Sequence, residues 1–141
     1  MHDDNKMLET MTTILKRDEL MKGTDSVEAD LAHQNVAQVY QRMKNYPEAT
    51  KHYLKSGQLG GLRAGRMCEE IKDYAQALQH YEKGGKDCKE RLGIMYGIAD
   101  RMDEADKIVG SYNDEDPNKS NTLRGEMFEL RGEHDKADNL Y

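Results

Sequence analysis

Cysteine, histidine and glycine are the residues through which this chain could do chemistry, and their spacing argues against most of it. Cys68 and Cys88 are the two cysteines, with no CxxC pair and no third partner. A disulfide framework is therefore not expected, and both read as reduced thiols. Cys68 stands in a position shared with Tyr40, Tyr96 and Phe128, which makes it a buried packing residue rather than a nucleophile. Cys88 is expected to be exposed near a helix start, where a thiol is slightly acidified, yet it has no histidine beside it in sequence and reads as inert. The histidines are His2, His33, His52, His80 and His134. His52 and His80 each precede a tyrosine, Tyr53 and Tyr81, at the same repeat position. A metal held between them would need a further ligand, so a solvent-facing helix position is the simpler expectation. The glycine-rich GQLGGLRAGR lacks the GK[ST] of a phosphate loop. NDEDPNKSN lacks the central glycine and closing glutamate of a calcium loop. No catalytic residue, metal or cofactor is expected, and the chain does not read as an enzyme.

Bulk composition narrows the class. Of 141 residues, 36% are hydrophobic and 34% charged, which is thin supply for a thick core and suits a solenoid whose units bury only the faces between neighbours. A net charge of −6 argues against a nucleic-acid groove. No apolar run reaches the roughly 18 residues of a membrane span. The start, MHDDNKMLET, is acidic where a signal peptide is basic. A cytoplasmic location is the expectation.

The elements that position these residues repeat. NYPEATKHYLKSG and DYAQALQHYEKGG are two copies of one phrase. Four columns extend it. A small residue early in a second helix is Ala49, Ala77, Ala105 and Ala137; twelve residues before it stands Ala37, Gly65, Gly93 or Gly125. Three residues after that comes Tyr40, Cys68, Tyr96 or Phe128. Four residues after the alanine comes Tyr53, Tyr81, Val109 or Tyr141. The intervals are 28, 28 and 32 in every column, so four extra residues precede the last copy, and YNDEDPNKSN at 112–121 is expected to be the loop that holds them. Small residues let two antiparallel helices cross closely, and the neighbouring aromatic fills the remaining space. The eight small residues are thus read as structural packing positions.

The expected fold is all-α: an α-solenoid of stacked antiparallel helix-turn-helix repeats with an N-terminal leader helix. Residues 1–24 form the leader, carrying Met7, Leu8, Met11, Ile14, Leu15 and Met21 on one stripe and closed by Gly23. It would cap the array, or pair two copies into a homodimer through Met7, Met11, Ile14 and Met21. Residues 25–141 form the repeat domain, in units 30–57, 58–85, 86–116 and 117–141, the last incomplete. Asp25 and Glu28 make a capping box; the first unit's helices span 27–44 and 47–56. Arg124 replaces the apolar Val36, Ala64 and Leu92 of the other copies, so the fourth copy is degenerate. Tyr141, a packing aromatic, ends the sequence, which reads as a piece of a longer array.

Small–x–x–aromatic followed by tyrosine–x–x–alanine–x–x–x–aromatic resembles the tetratricopeptide repeat over residues 30–141. Tyr46 and Tyr74 match its turn tyrosine; Met102 and His134 replace it later. The 28-residue period is shorter than the usual 34 or so. His33, Gly61, Lys89 and Asn121 stand where the family carries a bulky residue. The resemblance implies a protein-binding scaffold whose first helices line a concave groove. Carried over by position, Gln34, Asn35, Gln38 and Arg42 from the first unit would bind a peptide or partner helix. Leu62, Arg63, Arg66 and Glu70 from the second, and Glu90, Arg91 and Ile94 from the third, would join them. Amides suit a peptide backbone, and the arginines suit an acidic or phosphorylated motif. The carboxylate clamp of chaperone-binding members is matched at Arg91 alone, with Gln34, Gln38, Arg63 and Asp87 in the other positions. Alternative roles are an export chaperone of the type III secretion kind and a structural segment of a longer eukaryotic transport or adaptor array. No nucleic-acid or membrane partner is expected.

Overall fold

A computed structural model describes residues 3–132, which fall into two compact units divided after Asp73. The first holds α1 (Asp4–Lys22), α2 (Val27–Arg42), α3 (Tyr46–Leu54) and α4 (Gly60–Glu70). The second holds α5 (Tyr74–Lys83), a 3-10 turn (Gly85–Cys88), α6 (Lys89–Ile98), α7 (Met102–Gly110) and α8 (Pro117–Leu130). Among the described residues there is no strand, and no helix is long and apolar enough to cross a membrane.

Helix α1 starts at Asp3, whose carboxylate accepts the Lys6 N–H at 3.1 Å. It ends at Gly23, which takes φ +96° and donates its N–H to the Glu19 carbonyl. Its inward stripe of Leu8, Met11 and Leu15 meets Ala32 and Val36 of α2, while Leu20 and Met21 stay exposed. Helix α2 is capped one residue later than Asp25 and Glu28 imply. The Ser26 hydroxyl accepts the Ala29 N–H at 3.1 Å, because Ser26 is the last extended residue before the helix.

The repeat is most visible in the backbone. Lys44, Lys72 and Asp100 take φ of 60°, 60° and 65°, and Gly132 takes 80°. These positions follow the same 28, 28 and 32 intervals as the sequence columns. Each of the first three closes a Schellman-type turn. The Asn45 N–H reaches the Tyr40 carbonyl at 2.9 Å, Asp73 reaches Cys68 at 2.8 Å, and Arg101 reaches Tyr96 at 2.8 Å. This turn ends α2 at Arg42, short of the expected Lys44. A left-handed lysine is strained where glycine is not. Lys72→Gly is therefore expected to raise stability by about 0.5–1 kcal/mol, read as a higher urea midpoint at unchanged slope.

Packing follows from the small residues. Ala37, Ala49 and Ala64 are fully buried and join Tyr53 and Met67 in one cluster, with Tyr40 and Tyr46 against it. In the second unit Ala77, Tyr81, Ala105 and Val109 are buried. Gly93 lies where an added Cβ would come 3.0 Å from the Ile108 side chain, so α6 and α7 cross in direct contact there. Gly65 and Gly125 are buried; Ala137 lies outside the described residues.

The extra residues before α8 are not all loop. Only 111–116 connect α7 to α8; Pro117–Asn121 form the first turns of a longer helix. Asp116 accepts the Lys119 N–H at 3.1 Å and Pro117 takes the first helical position, a start signal that outweighs the polar composition. Arg124, out of pattern in its column, donates to the Ser120 hydroxyl at 2.9 Å, and Ser120 in turn donates to Asn113 at 2.6 Å. Its charge ties the connection to the helix.

Candidate functional site

Four of the residues expected to bind come together in the first unit: Asn35, Gln38 and Arg42 of α2, and Glu70 of α4. Asn35, Gln38 and Arg42 recur along α2 at helical spacings of three and four, so they share one face. They line a pocket of about 640 Å³. Met7 and Met11 of α1 form one wall, Tyr46 and Glu70 others. The thioethers supply adaptable apolar surface, and the two amides supply both donors and acceptors. Arg42 donates to the Met7 sulfur and lies 3.7 Å from an Asp4 carboxylate oxygen. Its side chain is 49% exposed, so this guanidinium remains reachable from the pocket.

Gln41, which also lines the pocket, is held by a hydrogen bond. Tyr53 donates its hydroxyl to Gln41 at 2.6 Å. Burial pushes the Tyr53 hydroxyl up in pKa, with Arg63 pulling the other way, so it stays a donor.

The remaining expected residues are distributed differently. Gln34 and Arg63 are half-buried and Arg66 exposed; none lines this pocket. Arg91 belongs to the second unit, where it pairs with Glu126 at 2.7 Å. Nearby, Lys119 pairs with Glu90, and Lys89 and Lys119 both lie over the Tyr112 ring. These contacts tie α6 to α8.

The reactive residues are placed as packing elements, with two corrections. Cys88 is fully buried rather than exposed, and burial, aided by Asp87, pushes its thiol up in pKa. The 3-10 turn before α6 tucks it inward. Cys68 is buried as its column implies, its thiol likewise raised. His52 does not face solvent. It is half-buried, stacked on Tyr40 with ring centroids 5.7 Å apart, and hydrogen-bonded to His33, Nδ1 to Nδ1, at 3.0 Å. His33 is itself buried, with Nε2 3.9 Å from Glu19. Sequence reasoning missed this pair because it compared His52 with His80, its counterpart one repeat later. The available signal was the antiparallel hairpin. His33 holds the column reserved for a bulky inward residue, and His52 precedes a packing tyrosine. Among the described residues no group of three His, Cys, Asp or Glu is placed to hold a metal ion.

No protein-family model and no curated protein sequence matches the chain. Among solved structures, the crystal structure of MamA is similar, with a TM-score of 0.62 at 14% identity over 99% of this chain and 91% of that one. The likeness shows the fold: a tetratricopeptide-like helical repeat.

Proposed function

We propose that the chain is a non-catalytic protein-interaction scaffold that holds a peptide or partner helix against the α1–α2 face of its first unit. The observation that carries this is the convergence of Asn35, Gln38 and Arg42 with Met7 and Met11 in one open pocket. Apolar walls give contact area, the amides meet a backbone, and Arg42 grips a carboxylate or phosphate. Arg63 and Arg66 lie outside the pocket on α4 of the same unit and offer further cations to an acidic or phosphorylated segment, whereas Arg91 of the second unit is engaged by Glu126. Both thiols are buried packing groups raised in pKa, which favours binding over thiol catalysis.

The test is affinity capture from a cell extract with the wild-type chain and with a Gln38→Glu/Arg42→Glu double variant. A bound protein should be retained by the wild type and reduced at least about tenfold on the variant, since truncating a desolvated charge contact costs about 2–5 kcal/mol. The thermal unfolding midpoint should fall only slightly, because both side chains are exposed and the Arg42 contacts with Met7 and Asp4 are surface contacts. Equal capture by the two proteins would remove this face as the binding site. Arg63→Glu/Arg66→Glu then asks whether the second repeat contributes.

A further inference from the structure

The His33–His52 contact joins α2 to α3 through a single hydrogen bond between like atoms. Two Nδ1 atoms at 3.0 Å require one to donate and the other to accept, so one proton lies between them. The ring centroids are 5.2 Å apart, which exceeds the nitrogen separation by about two ring radii. Each nitrogen therefore lies close to the line joining the rings, as a direct N–H···N bond requires.

We propose that this pair is a proton-operated latch on the first helical hairpin, closed while one proton bridges the two Nδ1 atoms and opened when the accepting Nδ1 is itself protonated. The first added proton is harmless. It goes to the free Nε2 of the donating ring and leaves the bridge intact. The second has only the accepting Nδ1 left, and there it sets two N–H groups head to head at hydrogen-bonding distance. A half-turn of the His52 ring about Cβ–Cγ keeps its plane on Tyr40 but presents Cδ2–H in place of Nδ1, so it relieves the clash only by giving up the bond.

The groups facing the pair are Glu19 from α1, Asp30 and Tyr40 from α2, Glu48 from α3, and Lys55 just after it. The carboxylates favour protonation and Lys55 opposes it. Burial is the largest influence on both rings and holds both below the ordinary 6.5. A base whose folded pKa is depressed contributes stability that is complete above its unfolded value and lost as pH falls through the folded one. Stability should thus be full above 6.5 and decline below it. Solvent has a route in, because His33 lines an open pocket beside Glu19, Asp30 and Lys55.

The test uses the full chain from about pH 7.5 to about 5.5, above the carboxylate range. Ring-nitrogen NMR on the wild type should show one Nδ1–H and one Nε2–H tautomer at the upper pH, then two coupled steps with the second well below 6.5. Urea unfolding should show the folding constant falling by up to about tenfold per pH unit for each excess proton taken up by the unfolded chain. In His52→Gln, whose amide can donate or accept, that decline should be shallower. Identical pH dependence in the two proteins would overturn the latch. So would two rings titrating independently at or above 6.5, a result the wild type alone can give if the variant does not fold.

Discussion

Tyr53→Ala is expected to lower stability by about 3–5 kcal/mol, the usual loss for a large aromatic removed from a packed core. Tyr53 is 4% exposed and sits among Ala37, Ala49, Ala64 and Met67. Three of those neighbours are alanines on three different helices, and among the cluster's buried side chains only Met67 is long enough to move toward the space and fill part of it. The rest of the cavity should persist, which keeps the cost within that range. Tyr53→Phe separates the two roles of the residue. It keeps the ring and deletes only the hydroxyl that donates to Gln41. Gln41 is exposed and can turn to water, so this loss should be about 0.5–1.5 kcal/mol. Urea unfolding of the wild type and both variants measures the split. A Phe variant as unstable as the Ala variant would mean that the hydrogen bond, and not the ring, holds α3 to α2. With native domains stable by only about 5–15 kcal/mol, a loss of that size removes at least about a fifth of the stability.

Tyr53 illustrates what could be read directly. Its column was set by a 28-residue interval, and the interval reflects close helix crossings, which demand a small residue and an aromatic at fixed spacing. The helices and their order followed from that. The turns between them did not. Lys44, Lys72 and Asp100 adopt the left-handed conformation with side chains that do not advertise it, because the closing hydrogen bonds are made by backbone and are nearly blind to residue type. The connection before α8 is shorter than its composition suggests for a related reason. Polar composition described the segment correctly, but one Asp–Pro step decided where the helix began.

The proposed binding face is legible in part. Asn35, Gln38 and Arg42 share a face by helical periodicity alone. Their companions Met7 and Met11 come from the leader helix, which carries no repeat signal and in sequence reads as a cap or a dimer seam. Contact between segments about thirty residues apart, outside any repeat register, leaves no trace in one sequence. The histidine pair was hidden in the same way. Comparing repeat with repeat finds what is equivalent, whereas His33 and His52 are not equivalent but opposed across one hairpin.

The same logic gives a second large effect at Gly97, a glycine outside the repeat columns. An added Cβ there would overlap the Met127 side chain at both Sδ and Cγ. Met127 is 1% exposed, so although its thioether is flexible it has little room to retreat. Gly97→Val should therefore lower stability by about 1–3 kcal/mol through overpacking between α6 and α8. The β-branched side chain also gives up some helix preference, although glycine at this position already forgoes about 1 kcal/mol against alanine. Met127→Ala alone should lower stability by about 2–5 kcal/mol, by leaving a cavity. Combined, the two changes are compensating: valine at 97 occupies space that the methionine vacates. The double variant should thus be more stable than the sum of the single losses implies, with a coupling of about 0.5–3 kcal/mol. Urea midpoints of the four proteins supply that coupling. Strict additivity would show that Gly97 and Met127 do not share one space, and α6 and α8 would then have to be held together chiefly by their charged contacts, Arg91 with Glu126 and Lys119 with Glu90.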